Sequence, residues 1–404
     1  MTGALSGIRI FDMSRVLAGP TCTQLLGDLG ADIIKIERPG EGDDTRKWGP
    51  PFLKDAAGND TAESSYYLSA NRAKRSLTLD FTKPEGRDLA LRLIAQCDVL
   101  LENYKVGTLA KHGLGYDSIH REFPRLVYCS LTGFGQTGPY APRPGYDFLA
   151  QAIGGIMSLQ GEPDGEPMKG AVAMADLMTG MYSTVAILAA LRHRDRTGEG
   201  QLIDMALLDT QVAWLGNQAQ AYLTSGEIPP RLGNAHASVV PYQVFASADG
   251  HIVLAVGNDG QFRKFCAFAG APELAADPRF AANADRVRHR AALIPLLNVI
   301  LAKHHSAYWI EGLEREGVPC SPINRLDQVF ADPQVKARDM VVTMRHGAAP
   351  EPIRLLANPI KYSATPVEYR QAPPTLGQHT DEILRELLNL DTGEIARLRD
   401  AGVV

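Results

Sequence analysis

In the stretch AVAMADLMTG, residues 171–180, one carboxylate, Asp176, stands among small, apolar and sulfur-containing side chains. An unpaired carboxylate is costly to bury, so such a residue serves either the backbone or a reaction. The segment LMTGMYSTVAILAALRHR follows directly and reads as a helix with basic residues at its end, which makes Asp176 a candidate N-cap. The alternative is a nucleophile whose reactivity is raised by desolvation. Basic residues gather in two other places. Arg38 follows a strand-like run, at the carboxyl edge where parallel sheets bind ligands, and Arg72, Lys74 and Arg75 crowd NRAKRS. The second group reads either as a solvated turn or as a phosphate site.

Composition narrows the classes. A chain of 404 residues exceeds what one hydrophobic core usually holds, so two domains are expected. Hydrophobic residues at 45% and charged residues at 22% fit a globular enzyme rather than a disordered chain. With a net charge of −5 and no long basic or acidic block, neither nucleic acid nor a membrane surface is an expected partner. Cys22, Cys97, Cys129, Cys266 and Cys320 form no CxxC pair and no Cys/His cluster, so no disulfide frame and no metal site are expected. MTGALSGIRIF carries no charged n-region, so no signal peptide is expected, nor any apolar run of membrane-spanning length. The expected compartment is the reducing cytoplasm.

The elements that must position these residues alternate along the first half. GIRIFDMS, ADIIKIE, SLTLDF, DVLLEN and RLVYCSLTGF read as strands, with helices over PTCTQLLGDLGA and PEGRDLALRLIAQC between them. This pattern predicts a doubly wound parallel sheet. A break at SGEIPPRLGN precedes PYQVFASADGHIVLAV, two strands about an ADG turn, and then helical stretches. The chain closes on strand-like MVVTMRH and PIRLLANPIKY and two amphipathic helices. A nicotinamide enzyme is a poor fit. DMSRVLAGPTC follows the first strand in place of G-x-G-x-x-G, and no P-loop is present.

Taken together, SRVLAGP, IIKIERPGEGDDTRKWGPPF, NRAKRSLTLDF, LLENYKVGTLAKHGLGY, LTGFGQTGPYAPRPGYD, AMADLMTGMY, TGEGQLIDMALLD, GVPCSPINRLDQVFADPQV and LGQHTDEIL resemble the class III CoA-transferases in that family's order. GAVAMADLMTG with LGNAHASVVPYQVF resembles the succinyl-CoA:dicarboxylate branch, which acts on acids such as glutarate, hydroxymethylglutarate or itaconate. The resemblance implies an α/β fold: a large Rossmann-like, doubly wound domain plus a smaller α+β domain, in an intertwined homodimer. It places the large domain at 1–200 and 335–404, a linker helix at 201–225 and the small domain with its return linker at 226–334. Asp176 is then the nucleophile, passing through aspartyl anhydrides and an aspartyl-CoA thioester. Coenzyme A is a substrate, and no permanently bound cofactor or metal is expected.

By the same resemblance, coenzyme A lies along Val16, Leu17, Ala18, Arg38, Leu79, Asp80, Phe81, Thr82, Asn103, Tyr104, Lys111 and Tyr146, with Arg38 and Lys111 meeting phosphates. Leu17 stands where formyl-CoA transferases carry Gln, which argues against formyl or oxalate specificity. Tyr146 and Asp147 match the family's Tyr-acid pair near the reacting groups, or simply begin a helix. Arg15, Asp147, His236 and Ser238 are candidates for the acid's carboxylates, each with a structural reading beside it. The expected reaction moves coenzyme A from an acyl-CoA such as succinyl-CoA to a dicarboxylic acid. Intramolecular transfer within one diacid of the mesaconyl-CoA type and a non-catalytic CoA-binding protein are the alternatives. An acyl-CoA racemase is disfavoured, because Tyr146 stands where its His is expected.

Overall fold

Six short strands carry the architecture: β1 (Arg9–Asp12), β2 (Asp32–Glu37), β3 (Lys74–Thr78), β4 (Val99–Glu102), β5 (Val127–Thr132) and β6 (Leu202–Ala206). The computed structural model, which describes residues 3–404, pairs them all in parallel in the order β3-β2-β1-β4-β5-β6. Side chains alternate between faces along each strand. Ile10, Ile33, Val99 and Leu101 therefore enter one apolar layer with Cys22, Leu26 and Ile187. Phe11, Ile34 and Leu100 enter the other with Leu93, Ile383 and Leu398. Burial on both faces is why these strands read as near-continuous apolar runs.

The helices that matter to the site are α1 (Ala18–Asp28), α2 (Pro84–Ile94), α3 (Asp147–Ile153), α4 (Met174–Thr197), α5 (Leu207–Ala213), α6 (Thr380–Leu388) and α7 (Thr392–Asp400). α1 and α4 pack together over the first face. α2 covers the second with α6 and α7, so the end of the chain completes a layer begun at its start. α3 and α5 brace the beginning of α4.

Two compact units make up the chain. One comprises residues up to 156 with 169–219 and 336–404; the other comprises 157–168 and 220–335. The second unit holds the expected hairpin, Tyr242–Ala246 against His251–Ala255, with Cys320–Pro322 paired to its other side. Phe245, Ile252, Phe262, Phe265 and Trp309 form its core.

Two expectations are corrected. Residues 201–225 are not one linker helix: they begin with β6 and continue as α5 and a separate helix, Gly216–Ser225. LIDMA is too short and apolar for periodicity to separate strand from helix, and the exposed ladder of β5 takes it as a partner. α4 is long and apolar enough to cross a membrane by length and composition, contrary to the sequence expectation. It serves as a core helix, with Ile187, Ala190 and Leu191 buried in the sheet-facing layer.

Candidate active site

The strand order reverses between β1 and β4, and ligands of doubly wound sheets sit at such a point, beyond the carboxyl ends of the strands. The two loops that leave these strands are tied to each other. Asn103 Oδ1 accepts the Arg15 N–H (2.9 Å), and Asn103 Nδ2 donates to the Arg15 carbonyl (2.7 Å). Val16 adopts φ 70°, a left-handed conformation rare for a β-branched residue. Such backbone costs about 1–3 kcal/mol and persists where its surroundings over-determine it. Here the Val16 N–H donates to Asp43 Oδ1 (3.3 Å), and Asp43 is fixed by the fully buried Lys35 ammonium at 2.8 Å. The turn thus takes a glycine-like shape without glycine and carries a branched side chain where dinucleotide enzymes leave room for pyrophosphate.

Asp176 lies in the first turn of α4, whose N-cap is Ala173, so the capping reading of Asp176 is not what the structure holds. Instead the Asp176 N–H donates to Oδ1 of Asp147, the first residue of α3, at 3.2 Å. Asp147 Oδ2 accepts from Gln151 Nε2 (2.7 Å), and Gln151 Oε1 accepts the Gly170 N–H (2.9 Å). Gln151 is fully buried, so this relay fixes the Asp147 carboxylate against the start of α4. The Asp176 side chain is 9% exposed. Burial, and secondarily the charge of Asp147, push its carboxyl up to about 7. Asp176 opens into a cavity of about 190 Å³ shared with Arg15, Leu17, Asn103, Arg143, Tyr146 and Leu207, among others.

A second cavity, of about 310 Å³, lies over the ends of β2 and β3. Arg38, Leu79, Asp80, Phe81 and Thr82 line it, together with Thr108 and His112. Arg15, Asp44 and Tyr104 line both cavities. Phe81 meets Tyr104 and His112 edge-on, with ring centroids 5.5 and 5.6 Å apart, which gives an aromatic box suited to a base. Asp80 Oδ1 accepts from the Thr82 N–H and hydroxyl, and the Asp80 N–H donates to the Val403 carbonyl. The tail of the chain therefore braces this wall. Arg38 is exposed and among the described residues pairs only with Glu41 (3.2 Å), a surface partner it can exchange for a phosphate.

Not every expected residue is gathered here. Lys111 is exposed and lines neither cavity; in its 3₁₀ turn the neighbouring His112 faces in. Arg72, Lys74 and Arg75 are neither a solvated turn nor a phosphate site. They are buried ion-pair partners: Arg72 with Asp28 (2.6 Å), Lys74 with Asp12 (3.5 Å), Arg75 with Asp32 and Glu386. His236 and Ser238 belong to the second unit, where His236 Nδ1 accepts the Ser238 N–H. Tyr146 is the N-cap residue of α3, 60% exposed and on the wall of the Asp176 cavity, and Asp147 begins that helix.

Residues outside the expected set also stand at or beside the cavities. Arg143 lines the Asp176 cavity, and its signal was a guanidinium two residues before the quoted GYD. His112 was hidden beside the more obvious Lys111. Glu102 ends β4 just before Asn103, where its carboxylate accepts from the Ser130 hydroxyl and the Tyr104 N–H and is pushed by burial up to about 7.

Comparison with known proteins agrees with this geometry. The model for CoA-transferase family III matches residues 5–380. The chain is 48% identical to "Succinate--glutarate CoA-transferase" of Agrobacterium fabrum, over 96% of each chain. It is 44% identical to "Succinyl-CoA:glutarate CoA-transferase" of Homo sapiens, covering 99% of this chain and 90% of that one. The solved structure of a CaiB/BaiF family protein from Brucella suis superposes with a TM-score of 0.85 at 48% identity, covering 96% of this chain and all of that one. A nucleotide-sized cavity beside a cavity holding one desolvated carboxylate, on this sheet and with this likeness over nearly the whole length, leads to one assignment: the chain belongs to CoA-transferase family III.

Proposed function

We propose that this enzyme moves coenzyme A from succinyl-CoA to a dicarboxylic acid of the glutarate type, with Asp176 as the residue that carries the coenzyme between them. Asp176 attacks the thioester carbonyl and expels the coenzyme A thiolate, leaving a mixed anhydride. The thiolate attacks the aspartyl carbonyl, releasing succinate and forming a β-aspartyl-CoA thioester. The acceptor carboxylate displaces the thiolate to form a second anhydride. The thiolate then attacks the acceptor's acyl carbon and frees the Asp176 carboxylate. Charge balances at every step and no net proton is taken up.

The observation that carries this reading is the placement of Asp176: desolvated, with its carboxyl pushed up to about 7, and in a cavity that shares Arg15, Asp44 and Tyr104 with the aromatic cavity. Desolvation makes a weak nucleophile basic. Holding the thiolate beside the anhydride is worth at most about 7–11 kcal/mol of barrier. The relatives named for succinate and glutarate support the choice of acids. Arg38 and the Phe81–Tyr104–His112 box are the proposed coenzyme contacts.

The proposed working form is an interlocked homodimer in the cytoplasm. Phe148, Leu149, Ile153, Met181, Tyr182 and Val185 are each more than two-fifths exposed on α3 and α4, a set of apolar side chains that a second subunit would cover. All five cysteines are free thiols, in keeping with a reducing compartment. Light scattering after gel filtration tests the dimer.

Incubation with succinyl-CoA and a panel of glutarate, itaconate, hydroxymethylglutarate, malate, mesaconate and oxalate, read by mass spectrometry, tests the reaction. A new glutaryl or related thioester is expected, and hydroxylamine during turnover should mark Asp176. Turnover with an unmarked Asp176 would overturn the mechanism.

A further inference from the structure

Arg15, Lys105 and Arg143 line the cavity that holds Asp176; Arg15 is already paired, and of the other two Arg143 alone has a planar guanidinium. Arg15 bridges to Asp44 at 3.0 Å and lies over the Tyr104 ring at 5.2 Å, between the two cavities. Arg143 makes no ion pair or side-chain hydrogen bond among the described residues. Its guanidinium rests on the Tyr140 ring at 3.8 Å, and its backbone N–H donates to the Tyr140 carbonyl at 2.9 Å. Stacking on a ring face leaves the N–H edge of a guanidinium open for a planar, bidentate partner.

We propose that Arg143 selects dicarboxylic acids by binding the carboxylate that does not react, an assignment that rests on Asp176 being the residue that carries the coenzyme. The cavity has the three parts such an acid needs. Asp176 stands at one side for the reacting carboxyl, Leu17, Leu131 and Leu207 supply apolar wall for the methylenes, and Arg143 supplies the cation. The need for a cation is electrostatic. The acceptor diacid brings two negative charges to a cavity with apolar walls beside Asp147, and an unmatched charge out of water is strongly disfavoured. Arg143 does not line the nucleotide cavity. The coenzyme's phosphates are a full pantetheine arm from its sulfur, so a cation beside Asp176 is badly placed for them.

The position of Arg143 is set by backbone rather than by a flexible arm. A Cβ on Gly145 would stand 2.1 Å from the Gly133 Cα, so the ends of the loop that carries Arg143 cross in contact. This brings Ala141 and residues 143–146 to the cavity over the end of β5.

The test compares glutarate with pentanoate, which has a methyl group in place of the far carboxylate, using kcat/KM for each acceptor. In a double-displacement scheme this quantity depends only on the coenzyme-loaded enzyme and the acid. Arg143→Met should lower the value for glutarate roughly 10- to 100-fold, the range for losing a charge-assisted pair, while changing that for pentanoate and the affinity for free coenzyme A less than about 3-fold. Arg143→Lys should recover part of the loss, since charge returns without the bidentate edge. Equal losses on both acids, an unchanged preference for glutarate, or weakened binding of coenzyme A to both variants would each overturn the assignment. Wild-type enzyme that acylates Asp176 but passes coenzyme A to neither acid would overturn the proposed function along with it.

Discussion

The backbone N–H of Asp176 is held by the carboxylate of Asp147, 3.2 Å away, and the same carboxylate raises the pKa of the Asp176 side chain. Asp147 thus anchors the backbone of Asp176 and adds its charge to the burial that raises the carboxyl. The cost of that arrangement is measurable.

Asp176→Asn should abolish transfer and stabilise the fold at alkaline pH. A carboxyl whose folded pKa is raised from 3.8 to about 7 keeps its proton in the native state where the unfolded chain has lost it. Its stabilising contribution is present below 3.8 and is lost as pH rises through about 7. Above that pH the ionised group penalises folding by up to about 4 kcal/mol, a ceiling taken from the size of the shift. Thermal melts at about pH 5 and pH 8 should show the variant gaining more on wild type at the higher pH. An equal gain at both would contradict the raised pKa.

Activity should follow the same titration. With the carboxylate as the attacking form, kcat/KM for the acyl-CoA should rise with pH to a plateau through an apparent pKa near 7. Asp147→Asn removes the charge while leaving an oxygen for the Asp176 N–H, so this limb should move to lower pH. A lower plateau with an unmoved limb would mean that Asp147 acts through structure alone.

Phe81→Ala should act on the nucleotide and spare the chemistry. Aromatic contact with a base is worth about 1–3 kcal/mol, so KM for the acyl-CoA should rise roughly 5- to 150-fold. Turnover of the corresponding acyl-pantetheine, which lacks the nucleotide, should be unchanged. A matching loss on both substrates would place the base elsewhere.

Asn103→Ala should loosen the junction of the two loops. It removes both hydrogen bonds to the Arg15 backbone and leaves the strained Val16 turn less constrained, for a loss of about 1–3 kcal/mol of stability. Denaturant melts would show this. Weaker coenzyme A binding should accompany it, because Arg15 and Val16 line the cavity.

What the sequence made legible follows from the range of the interactions. Strands β1 to β5 and helices α1, α2, α6 and α7 were readable because their apolar period is local and two apolar layers reward it. Asp176 was visible as a misfit carboxylate, but its partner lies 29 residues earlier in the chain, and no local pattern reports such a contact. NRAKRS misled for the same reason. Its charges look solvated in isolation, whereas Arg75 meets Glu386 across 311 residues and Arg72 donates to the Leu356 carbonyl across 284. β6 is not separable from helix in the sequence, because a short apolar run has no period of its own to show.

The crossing of Gly133 and Gly145 separates two jobs that many enzymes entangle. Pinched at its base, the segment between them acts as an exchangeable cassette. On the proposed reading, rewriting its interior would change which acid is admitted while leaving Asp176 and the Phe81–Tyr104–His112 wall in place.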